Sequence, residues 1–193
     1  MRFAGMAFAS DGTLYAVTGD GGGVPETLFT VSLADASSTL VLELGAGSDG
    51  ETLSFNPDDG LLYHASGLGT QNNPTGEKFE TVDPVTLDVT NVPLSGFDYQ
   101  ELISLTYSEG GFFAGDLGDA VVDMPRFFRI TPAGAVTLLG DMDHVSKGLA
   151  PLKTANPVVP ALSTAMLGIV FLVLLFIGSA SSPAPRDPER NPA

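Results

Sequence analysis

Three observations predict an all-β chain of repeated four-stranded antiparallel units followed by one membrane-spanning helix. A phrase consisting of a short apolar run, a tight turn and a second apolar run recurs along residues 2–140. Its turns are filled by Asn, Asp, Gly and Pro, which tolerate positive φ or pre-set the bend. Then, from Ala161 to Ala180, the chain carries no charge at all.

The clearest copy of the phrase runs from Thr52 to Tyr63: an apolar run ending in Phe55, the turn Asn56-Pro57-Asp58-Asp59-Gly60, and a restart at Leu61-Leu62-Tyr63. An earlier copy reads Gly5-Met6-Ala7-Phe8, Asp11-Gly12, Leu14-Tyr15, and a later one Leu105-Thr106-Tyr107, Gly110-Gly111, Phe112-Phe113. Around these copies the first repeat, about residues 2–45, predicts strands at Gly5 to Phe8, Thr13 to Thr18, Thr27 to Leu33 and Ser38 to Leu44. The second, about 49–94, predicts Thr52 to Phe55, Leu61 to Ala65, Lys78 to Val82 and Val89 to Val92, with a longer surface loop over 67–76. The third, about 100–140, predicts Leu102 to Tyr107, Phe112 to Gly115, Arg126 to Ile130 and Ala135 to Leu139. A leftover strand is expected at 145–150, where Lys147-Gly148-Leu149-Ala150 opens a fourth copy that Pro151 stops.

Phe8 and Phe55 are 47 residues apart, and Phe55 and Tyr107 are 52 apart. A period near 50 with four short strands per period is the signature of propeller blades, because one four-stranded sheet cannot bury both faces until neighbours stack on it. The predicted fold for residues 1–150 is therefore about three propeller-like blades in an incomplete ring. The second repeat also resembles a broad extracellular propeller family, through Leu53-Ser54-Phe55-Asn56-Pro57, Gly60-Leu61-Leu62-Tyr63 and Phe79-Glu80-Thr81-Val82-Asp83-Pro84-Val85-Thr86. That resemblance implies architecture and no particular activity. Three repeats fall short of the four to eight that close a ring, so another chain completing the propeller is one expected partner.

The 193 residues contain 23 acidic and 8 basic side chains, a formal net charge of −15. A surface this negative repels phosphate backbones, and the basic residues Arg2, Lys78, Arg126, Arg129, Lys147 and Lys153 are scattered, which argues against nucleic-acid binding. There is no cysteine, so disulfides, thiolate metal sites and cysteine nucleophiles are excluded together. The start, Met1-Arg2-Phe3-Ala4-Gly5, has no apolar stretch of signal-peptide length, so either export is not used or the native start lies upstream of Met1.

After the blades, residues 151–160 read as a linker in which Pro157 and Pro160 favour extended backbone. Residues 161–180 predict a transmembrane helix, since about twenty residues at about 1.5 Å each span the roughly 30 Å hydrocarbon core. Residues 181–193, with four prolines, predict a disordered tail. Val159-Pro160-Ala161-Leu162-Ser163, an apolar segment and an arginine-bearing tail resemble the PEP-CTERM and IPTL-CTERM sorting segments of Gram-negative bacteria. The resemblance implies single-pass anchoring with the blades exported to the periplasm or cell surface. The tail departs from the family in that Arg186 and Arg190 are separated by Asp187 and Glu189 instead of forming a basic cluster.

Candidate chemistry is sparse. His64 and His144 are the only histidines, and the repeat pattern does not bring them together, so ordinary surface or core roles are expected. Gly19 to Gly23 lacks the lysine and hydroxyl of a phosphate loop and reads as a turn. Asp20, Asp49 with Glu51, Asp58 with Asp59, Asp116 with Asp119, and Asp141 with Asp143 offer hard oxygen ligands beside glycines, which suits calcium. None has EF-hand spacing, and aspartate is a turn residue in its own right, so no metal ligand or catalytic residue is assigned. Phe8, Phe55, Tyr107, Tyr15 and Tyr63 recur at matched positions and are expected to pack blade against blade.

The function these observations predict is a membrane-anchored, non-enzymatic cell-surface module that binds a protein or carbohydrate or acts structurally. The alternatives are a calcium-assisted extracellular hydrolase or lyase, and an inactive remnant of a longer propeller protein.

Overall fold

Among the described residues twelve strands form where the turn residues separate apolar runs, and they assemble into three separate four-stranded sheets. Strands β1 (Phe3–Phe8), β2 (Leu14–Thr18), β3 (Thr27–Val31) and β4 (Ser38–Glu43) make the first blade. The second contains β5 (Thr52–Asn56), β6 (Leu61–Ser66), β7 (Lys78–Val82) and β8 (Val89–Asn91), and the third β9 (Leu102–Ser108), β10 (Gly111–Asp116), β11 (Arg126–Ile130) and β12 (Val136–Asp141). In each sheet the strands follow chain order and all pairings are antiparallel. This computed structural model describes residues 2–19, 24, 26–44, 52–66, 78–96, 101–118 and 124–150. Among the described residues no helix is long and apolar enough to cross a membrane. The expected loop at 67–76, linker at 151–160, membrane helix at 161–180 and tail at 181–193 lie outside the described residues.

Register makes the repeat literal. Leu14 pairs Val31, Leu62 pairs Val82 and Phe112 pairs Ile130, so these are one position in three blades. Their first-strand partners are Phe8, Phe55 and Tyr107. Blades one and three also share irregularities: a bulge between Phe3 and Gly5 matches one between Leu102 and Ser104, and that between Leu28 and Phe29 matches that between Phe127 and Phe128. Bulges add twist, which lets a flat ribbon become a blade.

The turns between third and fourth strands show why their residues were chosen. Asp83 Oδ1 accepts from Val85 N at 2.8 Å and Thr86 N at 3.1 Å, while Leu87, at φ +63°, donates its N–H to Asp83 O. Those backbone donors hold the Asp83 carboxyl below the usual carboxylate range. Ala36 takes the same left-handed position in blade one, and Gly134 does so in blade three, where a Cβ would also meet Pro93 O.

The core lies between blades rather than within them. β1 lies beside β5 and β5 beside β9, so the first strands are neighbours. The first seam joins Tyr15, Val17 and Leu28 to Leu53, Leu62 and Val82, with Phe55 packed against them. The second joins Tyr63, Ala65 and Phe79 to Leu105, Phe112, Phe128 and Ile130, with Tyr107 at its margin. Gly5 permits the close approach of β1 to β5, because a Cβ there would sit 2.6 Å from Leu53 N.

One expectation is corrected. Residues 145–150 are described and form no strand. A strand needs a hydrogen-bonding neighbour, and no described second strand stands beside this segment. Ser146 instead closes locally onto Gly148 O.

Candidate functional site

Alternation along β6 turns Leu62, His64 and Ser66 toward blade one, and at the latter two positions the seam becomes polar. His64, fully buried, pairs in register with Glu80 on β7, and its Nδ1 lies 3.0 Å from Glu80 Oε1. Ser66 Oγ donates to Glu26 Oε1 of blade one at 3.2 Å. Glu26 is itself buried and held at φ +50° just before β3, a left-handed conformation that costs about 1 kcal/mol or more in a non-glycine residue. Glu26 Oε2 and His64 Nε2 have no hydrogen-bond partner among the described residues. The Glu80 carboxylate fixes the orientation of the His64 ring through Nδ1, and the ring is fully enclosed. As built, the quartet orders the seam and presents no reactive atom to solvent.

The same level of the other blades is filled differently. In blade one, Thr18 Oγ1 accepts from Thr27 N at 3.0 Å. In blade three, Arg126 reaches Asp116 Oδ2 through Nε at 2.9 Å and Nη2 at 2.6 Å, and its backbone N–H donates to Oδ1 at 2.7 Å. The guanidinium also lies 5.6 Å from the Phe128 ring centroid. Asp116, a calcium candidate by sequence, is thus one half of a buried ion pair. The pairing of Gly115 with Phe127 places Asp116 opposite Arg126 one step further on, so strand register was the signal that could have found it.

At the opposite, tight-turn edge, Asp58 and Asp59 serve as acceptors. Asp59 Oδ2 accepts from Tyr63 Oη at 2.8 Å and Asn56 Nδ2 at 2.7 Å, while Tyr107 Oη, across the second seam, donates to Asp58. Burial, then the Asp59 contact, pushes the Tyr63 phenol up, and the bond to Asp58 leads the rise of Tyr107 to about 12. A raised phenol pKa means that the folded chain holds its proton more tightly than the unfolded one, so the contribution is complete below about pH 10 and lost as pH rises through about 12. Melting temperature is expected to fall over that window, and Tyr107→Phe to flatten the fall; an unchanged alkaline slope in Y107F would contradict the assignment.

The remaining candidates do not converge. His144 is exposed beyond β12 whereas His64 is enclosed between blades, and Asp141 and Asp143 are exposed. Asp20, Asp49, Glu51, Asp119 and most of Gly19 to Gly23 lie outside the described residues. Among the described residues no group of three or more His, Asp or Glu could hold a metal ion.

The two end faces are the conspicuous feature. On blade one, Met6 is 61 %, Phe8 57 % and Leu40 52 % exposed, although Phe55 and Tyr107, equivalent to Phe8, pack into seams. Phe8 therefore does not pack blade against blade within the described residues, because its position faces away from blade two. On blade three, Phe113 and Phe127 stack at 5.7 Å with 16° between rings, and Arg129 lies 5.7 Å from the Phe113 centroid.

Three sheets of equivalent register, first strands adjacent and cores between sheets, define a row of propeller-like blades. Among solved structures, a chain of the nidogen/laminin complex aligns with a TM-score of 0.54 at 13 % identity, over 76 % of this chain and 51 % of that one. Puromycin hydrolase aligns at 0.43 and 18 % identity over 75 % of this chain and 22 % of its own, and the computationally designed Ika4 protein at 0.42 and 15 % over 78 % and 79 %. The chain thus spans about half the length of the first of these and less of the second. Neither a family model nor a curated protein sequence matches it.

Proposed function

We propose that the chain is a binding module rather than an enzyme, which engages a protein partner through its blade ends and is tethered to a membrane by residues 161–180. The observation that carries this is the exposed apolar end of blade one, centred on Met6 and Phe8 at 61 % and 57 % exposure. Contiguous apolar surface of this kind is characteristic of interaction sites. The likeness to a chain from a protein–protein complex is in keeping with it. Tethering rests on the uncharged run Ala161 to Ala180, and the sorting-segment resemblance favours blades displayed outside the cytoplasm.

Val173→Arg tests the tether. A charge at mid-bilayer costs about 2.5–3.5 kcal/mol on insertion scales, so the variant is expected to leave the membrane fraction. Unchanged retention would contradict the helix. Protease added to intact cells is expected to digest the blades; protection would contradict export.

A further inference from the structure

The two ends of the blade row are complementary halves of one repeated seam, and we propose that a second copy of this chain closes them head to tail into a six-bladed ring. The inference rests on the protein-binding reading above and names the partner.

The chain already builds this seam twice. Each time the leading half comes from one blade and the receiving half from the next. Leading halves are Tyr15 and Leu28 in the first seam and Tyr63 and Phe79 in the second. Receiving halves are Leu62 and Val82, then Phe112 and Ile130. Strand register identifies the third member of each set: Phe113 and Phe127 are the leading half on blade three, and Leu14 and Val31 are the receiving half on blade one. Neither half has a described sheet against it. Met6 and Phe8, on the receiving face, are exposed where their equivalents Leu53, Leu105, Phe55 and Tyr107 are packed. Seating blade three of one copy against blade one of another repeats a contact of known geometry and covers both apolar ends.

Ring closure sets the number of copies. Closed propellers hold about four to eight blades, and the described residues of each copy bring three, so on that count two copies fall inside the range while one falls short and three overshoot. A head-to-tail contact that closes after two copies gives a two-fold ring instead of a filament. The seam also predicts a register. Tyr107 N–H donates to Ser54 Oγ at 3.0 Å across the second seam. The matching positions at the closing seam are Phe8 of one copy and Thr106 of the other. Thr106 keeps a hydroxyl there to accept the same bond.

The absence of cysteine allows a clean test. The full chain, purified in detergent micelles, is weighed by native mass spectrometry, and Phe8→Cys, Thr106→Cys and the double variant are oxidised mildly. The expected results are a native mass twice the 19.9 kDa chain and a covalent dimer from the double variant only. Cross-linking of Phe8→Cys alone would mean like faces meeting, and a ladder beyond dimer would mean an open filament; either overturns the proposal. Met6→Asp with Phe8→Asp, at sites exposed in one copy, is expected to yield a monomer with an unchanged β-type circular dichroism spectrum. If the unaltered chain is itself a folded monomer without cross-links, the second copy is overturned while another protein partner stands. Retention of the dimer in M6D/F8D overturns the assigned seam.

Discussion

Phe112→Ala is expected to destabilise the blades by about 3–5 kcal/mol, the largest loss from any single core truncation in the described seams. Phe112 is fully buried and its ring meets three others across and beside the second seam: Tyr63 at 4.4 Å, Tyr107 at 5.2 Å and Phe79 at 5.9 Å. Removing it opens a cavity where blade two meets blade three, and rigid neighbouring strands limit collapse into it. Since domains are stable by only about 5–15 kcal/mol, the loss is a large share of the total. Denaturant titration of wild type and variant reads it directly. A change below about 1 kcal/mol would mean that the seam is not packed as described.

Arg126→Met is the second large effect, of about 3–5 kcal/mol, and its origin is electrostatic. Asp116 is fully buried, and the guanidinium that faces its carboxylate at 2.6 and 2.9 Å is a compensating charge. Methionine keeps much of the volume and deletes that charge, so a buried carboxylate loses its cationic neighbour. The double variant Asp116→Leu with Arg126→Met removes both charges and is expected to recover most of the loss. If the two single substitutions instead add in the double variant, the two side chains act independently and the ion pair is not what stabilises that strand end.

The strands were legible because turn chemistry and the repeat reinforce each other. Lys78–Val82 and Arg126–Ile130 have the bounds their apolar patterns predict. Misplaced ends have local causes. Leu33 extends an apolar run but is 70 % exposed, because Ser32 O is already taken by Ala36 N and the chain has begun to turn. β1 begins at Phe3 instead of the predicted Gly5 because the bulge before Gly5 breaks the strand's alternation. The polar interior was less legible. His64 and Glu80 occupy positions that hold Ala16 and Phe29 in blade one and Ala114 and Phe128 in blade three, so composition marks the site as core. Only the cross-strand register shows that the two substitutions are opposite each other and compensate. Glu26 gave no signal at all: its burial depends on Ser66, 40 residues away, and on a left-handed backbone that sequence does not announce.

The open ends follow from the same register. Phe8 is apolar for the reason that Phe55 and Tyr107 are, because it occupies a position that elsewhere lies between blades. Two seams of one design, with an unmatched half at either end among the described residues, are what the proposed second copy would complete.

Electron cryomicroscopy of the full chain in detergent micelles tests this most directly, since projections along the ring axis count blades. Six spokes around one axis, three from each of two copies, is the predicted result. A three-spoked row standing alone, with the Phe8 face bare, would contradict it.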